Sequence, residues 1–101
     1  LGNDLAAATG TPVLAAADGV VRVAGKHASY GNYLRVLHAD GDETLYAHMQ
    51  YLFVSAGAVV TAGQVLGTVG ETGNATGPHL HFEFLHKGLR YDPAPALQGA
   101  A

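Results

Sequence analysis

The 101-residue chain has no cysteine, only four prolines, and little charge: Asp, Glu, Lys and Arg together make up 13% of it. Without cysteine there is no disulfide framework and no thiolate metal site, so any metal would have to be held by histidine and carboxylate. Five basic against eight acidic residues give a formal net charge of −3, which leaves no basic footprint for nucleic acid or an anionic lipid surface. No apolar run approaches the length of a membrane span, and no signal peptide is visible. The chain opens mid-phrase at "LGNDL", so a targeting segment could lie upstream. Absence of cysteine leaves the redox compartment open.

What is present reads as one β domain. Hydrophobic residues reach 49%, enough for a modest core and too many for a disordered segment. Fourteen glycines punctuate short β-branched runs, the spacing of an all-β domain with many tight turns. "TPVLAAA" (11–17) and "VVRVA" (20–24) flank Asp18-Gly19, a hairpin signal, and "YLRVLH" (33–38) leads through Asp40-Gly41 to "TLYAHM" (44–49), a second one. "VLGTV" (65–69) and "HLHFEFL" (79–85) read as strands, His86-Lys87-Gly88 as a turn into a short "LRY", and 94–101 as a lightly packed tail. Helix has room only around Ala6–Ala8 and Ala15–Ala17, because Gly10, Pro12 and Gly19 break both stretches. "GTPVLA" (10–15) and "GAVVTA" (57–62) share G-x-x-V-x-A. Chance likeness explains this more simply than a duplication, which would give two related β-halves.

Six histidines in so short a chain are the first place to look for a site. His79 and His81 flank Leu80, so in a strand both rings leave one face while Leu80, Phe82 and Phe84 leave the other. A solvent-facing sheet surface is the plainer reading of an arbitrary His-x-His, but "TGNATGP" before it has the small residues that let a loop approach a cleft. His48 ends a strand, with Tyr46 expected on its own face and Leu45 and Ala47 on the other. His38, directly before a turn, suits a structural bond to turn backbone, and His27 and His86 sit in polar turns as solvated residues. Asp4 suits a turn or cap. Glu83 shares the face of His79 and His81, either orienting a ligand imidazole or, slightly favoured, as an ordinary exposed strand residue. Spacing thus yields a candidate cluster of His48, His79, His81 and Asp4, whose natural chemistry is zinc held by imidazole and carboxylate with an open water position.

The blocks "GNDLAAATGTPVLAAADGVV", "YGNYLRVLHADGDETLYAHM", "GAVVTAGQVLGTVGETGNATGPHLHFEF" and the closing "YDP" resemble the lysostaphin-type (LytM-like) zinc endopeptidases of bacterial cell walls. The resemblance runs from about Gly2 to Pro93, which implies a peptidase domain over 1–93, and G-P-H-L-H-F-E is its most specific phrase. It implies a compact β-sandwich of the duplicated-hybrid (barrel-sandwich hybrid) type and a zinc-dependent cleavage of peptide bonds in peptidoglycan, in a cross-bridge or a stem peptide. It implies an extracellular or cell-envelope setting in a bacterium, with peptidoglycan peptides as partner and other domains in a longer chain. By position, Asp4 and His81 match metal ligands, and His48 and His79 match catalytic histidines that work beside the metal.

The departure from the family pattern is at the start. Its H-x-x-x-D places a third zinc ligand, a histidine, one position ahead of Leu1, so residues 1–101 by themselves are expected to bind zinc weakly and not to cleave. A non-catalytic LytM-like module that binds and regulates cell-wall amidases is the alternative; such modules are usually degenerate at several of these positions, whereas Asp4, His48, His79 and His81 all stand here. A phosphocarrier or lipoyl-type hybrid domain is a further rival, but Lys26 and Lys87 lack the flanking motif of a lipoyl lysine.

Overall fold

Closely spaced glycines and the β-branched residues between them produce strands throughout, and among the described residues no helix forms. The computed structural model describes residues 3–86 and 89–91. Its strands are β1 (Asn3–Ala6), β2 (Pro12–Leu14), β3 (Gly19–His27), β4 (Gly31–Leu37), β5 (Glu43–Leu52), β6 (Val59–Val60), β7 (Val65–Val69), β8 (His79–His86) and β9 (Leu89–Tyr91). The main path runs β1-β8-β5-β4-β3-β6, with β9 beside β8, while β7 pairs with the far end of β5 and carries β2. Every pairing is antiparallel. Long β5 therefore belongs to both parts, and the core lies where they fold over each other. Leu34 and Val36 of β4, Tyr46 and Met49 of β5, and Phe82 of β8 pack there against Val13, Val60, Leu66 and Val69. This is the all-β sandwich expected from the sequence.

The hairpin at Asp40-Gly41 forms as expected: Gly41 has φ +88°, and the Asp42 N–H donates to the Asp40 side chain at 3.1 Å. The one at Asp18-Gly19 does not. β2 pairs with β7, and β3 pairs with β4 and β6, so no hairpin joins β2 to β3. Gly19 is needed for proximity rather than for a turn, since a Cβ there would lie 2.3 Å from the Leu37 carbonyl oxygen. Asp18 is also spoken for, its Oδ1 accepting the Ala62 N–H at 2.7 Å. The alanine-rich stretches carry no helix, because sheet pairing overrides a weak propensity too short to nucleate one. Residues 94–101 lie outside the described residues.

The faint echo between 10–15 and 57–62 has a structural counterpart. Gly10 and Gly57 share φ +93°. Each closes a turn in which Thr11 N–H reaches Ala8 O and Ala58 N–H reaches Ser55 O, both at 3.1 Å. Gly10 N–H then donates to Val69 O, and Gly57 N–H to Val21 O. In return Val69 N–H donates to Thr11 O, and Val21 N–H to Ala58 O. The two segments play the same part against β7 and β3, so the shared pattern encodes a shared local fold.

Candidate active site

Register brings the first pair together. In the β1–β8 ladder Asp4 faces His81 and Ala6 faces His79, and directly opposite residues share a face. Alternation along β8 then sets His79, His81 and Glu83 on that face and turns Leu80 and Phe82 towards the core. So the two histidines point the same way, as the spacing predicts. Glu83 corrects its slightly favoured reading: it is buried, 4% exposed, and its Oε2 accepts from the Tyr30 hydroxyl at 2.9 Å and from His81 Nε2 at 2.8 Å.

His48 arrives by a different route. Ala47 pairs with His81, so strict alternation would send His48 to the opposite, core face beside Tyr46. Instead the β4–β5 register runs Leu34 to Tyr46 and then Asn32 to Met49, so Tyr33 alone spans Ala47 and His48. This bulge gives His48 φ +61° and turns its ring out, 4.8 Å from the His79 ring and 6.0 Å from the His81 ring. Tyr46 stays in the core against Phe82. The expected sharing of a face by His48 and Tyr46 is overturned, because a bulge resets the alternation.

The hydrogen bonds determine which ring nitrogens are available. His48 Nδ1–H donates to the Thr72 carbonyl at 2.6 Å, and His79 Nδ1–H to the Gly77 carbonyl at 2.9 Å, since a carbonyl can only accept. Each neutral ring therefore keeps Nε2 as a lone pair; His79 Nε2 lies 3.7 Å from Asp4 Oδ1. His81 is bound at both ends by carboxylates, Asp4 Oδ1 to Nδ1 at 2.7 Å and Glu83 to Nε2. The hydrogen bond with His81 is the largest influence on the Asp4 carboxyl and holds it below its usual pKa, although burial acts in the opposite direction.

A neutral His81 has one N–H. With that proton given to buried Glu83, Nδ1 is a lone pair facing a carboxylate oxygen, and such a pair needs a proton or a cation between its members. That is the donor chemistry of a zinc site, an imidazole nitrogen and a carboxylate oxygen with the far ring nitrogen anchored by a second carboxylate. Among the described residues no group of three His, Cys, Asp or Glu side chains is placed to hold a metal. Asp4 and His81 thus fit as two donors of a site that needs a third.

These four side chains line a cleft of about 290 Å³ whose other walls are Ser29, Tyr30, Asn74 and Thr76. Ser29 and Tyr30 come from the turn between β3 and β4, and Asn74 and Thr76 from the loop that leads into β8. Tyr30, whose ring stacks on His81 at 6.0 Å, carries no motif that would have singled it out. The remaining histidines are structural. His38 donates from Nδ1 to Asp18 O at 2.7 Å and accepts at Nε2 from the Thr44 hydroxyl at 2.9 Å, a bond to turn backbone from another part of the chain. His27 is not merely solvated, because its Nδ1 accepts the Ser29 and Tyr30 N–H groups. Nor is His86, which donates to Asp42 at 2.5 Å.

Known proteins resemble this chain in sequence and in fold. The profile of peptidase family M23 matches residues 1–93. The DD-carboxypeptidase/endopeptidase Mpg of Neisseria meningitidis is 49% identical over 92 residues, covering 91% of this chain and 21% of its own length. The chain thus spans about a fifth of that curated relative. Among solved structures, the catalytic domain of the antimicrobial peptidase lysostaphin from Staphylococcus simulans superposes with a TM-score of 0.90 at 35% identity, covering 96% of this chain and 77% of that one. A zinc-containing peptidase from Vibrio cholerae gives a TM-score of 0.86 at 41% identity, covering 89% of this chain and 28% of that one.

Proposed function

The chain belongs to peptidase family M23, and from that premise we propose that it is a zinc-dependent endopeptidase that cleaves peptide bonds of peptidoglycan, in a cross-bridge or a stem peptide. The observation that carries the reading is the Asp4 carboxylate converging on His81 Nδ1 beside the rings of His48 and His79, each with Nδ1 committed to a carbonyl. The name of the Neisseria protein supports an endopeptidase and that of the Vibrio protein supports the metal, while peptidoglycan as the substrate follows from the sequence resemblance. Bound zinc would supply Lewis acidity, acidifying a water and polarising the scissile carbonyl.

Asp4 and His81 would hold the ion, together with the histidine that the family pattern sets directly before Leu1. His48 and His79 would work jointly through Nε2. One ring takes the proton of the attacking water and hands it to the amine nitrogen that leaves as the peptide bond breaks; the other, protonated at Nε2 from solvent beforehand, donates a hydrogen bond to the oxygen that becomes negative. The cleft walls would position the peptide. The site of action would be the bacterial cell envelope or its exterior, testable by fractionating cells and probing for the protein; recovery solely in the cytoplasm would refute that placement.

The test uses the chain with a histidine placed directly before Leu1. His81→Ala should lose zinc, whereas His48→Ala and His79→Ala should retain it and lose wall hydrolysis by about 10²-fold or more. Zinc per chain after dialysis and loss of turbidity of purified cell walls are the readouts. Full zinc binding with walls left intact across substrate types would replace this reading with that of an amidase regulator.

A further inference from the structure

His48 is the only non-glycine with positive φ among the described residues. Such a backbone costs free energy and persists only where its surroundings over-determine it. Here His48 N–H donates to Tyr30 O at 2.7 Å, its C=O accepts from Gly70 N–H at 3.0 Å, and its ring donates to Thr72 O at 2.6 Å. The last bond is the one that selects the tautomer.

Thr72 is itself held unusually firmly for a residue outside any strand. Its hydroxyl donates to Met49 O at 2.8 Å and accepts the Asn32 N–H at 3.0 Å. Asn32 and Met49 are register partners at the edge of the bulge, so the Thr72 hydroxyl bridges the break that the bulge makes between β4 and β5. Two glycines allow this insertion. A Cβ on Gly31 would lie 2.4 Å from both the Thr72 carbonyl carbon and its hydroxyl oxygen, and one on Gly73 would lie 2.4 Å from Gly31 N. The hydroxyl therefore aims the carbonyl: anchored at 2.8 and 3.0 Å across the strand break, Thr72 presents its own C=O to His48 Nδ1 at a fixed point.

We propose that Thr72 is a positioning residue for the hydrolytic reaction, whose hydroxyl, by bridging Asn32 and Met49, holds its carbonyl against His48 Nδ1 and so keeps Nε2 as the basic nitrogen facing the cleft. The inference rests on the reading of His48 as a working base or donor. Thr72→Val keeps the shape and removes the hydroxyl; Thr72→Ser keeps the hydroxyl.

Two quantities test it. The first is the His48 tautomer in metal-free protein, from long-range proton–nitrogen NMR at a pH about two units above the ordinary imidazole pKa of about 6.5. Wild type and Thr72→Ser should show the Nδ1–H form, and Thr72→Val a mixture with Nε2–H. The second is turnover on cell walls by the chain carrying the added N-terminal histidine. Thr72→Val should lower kcat by about tenfold or more with KM little changed, and Thr72→Ser should restore it. Should valine perturb folding, Thr72→Ala reads the same two quantities. Thr72→Val or Thr72→Ala with an unchanged tautomer and an unchanged kcat overturns the inference. Hydrolysis surviving in His48→Ala overturns instead the functional reading beneath it.

Discussion

Asp4 and His81 stand directly opposite each other on β1 and β8, 77 positions apart in sequence, with Oδ1 and Nδ1 separated by 2.7 Å. In the absence of a cation a proton must lie between them, and a metal taking that place must displace it. Zinc binding should therefore weaken as pH falls. Residues 1–101 alone, with two donors, should lose zinc on dialysis, and a histidine added before Leu1 should raise retention towards one ion per chain. One full equivalent retained by the unextended chain would show that the donor set has been misassigned.

Glu83 should tune the same site without touching the metal. Its Oε2 accepts from both Tyr30 and His81, and a glutamine oxygen can accept the same two bonds, so Glu83→Gln keeps them while removing the charge. Zinc affinity in the extended chain should fall about tenfold for Glu83→Gln and nearer 100-fold for Glu83→Ala, the span expected when an anchoring carboxylate is altered. Competition with a chelator of known affinity measures both, and equal affinities for wild type and Glu83→Ala would deny Glu83 this role.

A second polar chain supports the core rather than the site. The Ala16 N–H donates to the Tyr46 hydroxyl at 3.0 Å; that hydroxyl bonds Thr44 at 2.7 Å, and Thr44 donates to His38. Tyr46→Phe removes the hydroxyl that links Ala16 and Thr44 and should cost about 0.5–1.5 kcal/mol in urea unfolding.

Burial raises the Tyr46 pKa above the usual phenol value, outweighing the bonds to Thr44 and Ala16 that lower it. The unfolded phenol then ionises first. Stability from this group is full below about pH 10 and declines as pH rises beyond it. The stability gap between wild type and Tyr46→Phe should therefore narrow above about pH 10, and a gap that stays constant to higher pH would contradict the assignment.

Gly10 and Gly31 both have positive φ, at +93° and +65°, but only Gly31 is crowded, with nothing within 4 Å of a Cβ at Gly10. Gly10→Ala should cost about 1–2 kcal/mol of backbone strain. Gly31→Ala adds overpacking against Thr72 and should cost about 3–5 kcal/mol, with loss of hydrolysis in the extended chain. Thermal unfolding of the two variants compares them directly, and equal losses would show that the contact of Gly31 with Thr72 is easily relaxed.

The sequence by itself determined the β class, since glycine spacing leaves no uninterrupted stretch long enough for a helix. It also determined that His79, His81 and Glu83 share a face, since period-two alternation holds along an unbroken strand. The composition narrowed any metal site to imidazole and carboxylate ligands, and the wording of the GPHLHFE segment pointed to the family.

Only the tertiary structure decided the rest. β1 is a strand because β8 offers it a ladder, and Asp4 meets His81 through that register, which nothing in "LGNDL" announces. The Asp18-Gly19 dipeptide carries the local signature of a hairpin, yet β2 pairs elsewhere, because Gly19 answers the close approach of Leu37 instead of a turn. His48 joins the cleft through a bulge, and a bulge is set by how two distant strands and the Thr72 loop fit together. Alternation is a local rule and reads from sequence. Register, bulges and burial come from contacts between distant segments, and those exist only once the chain has closed on itself.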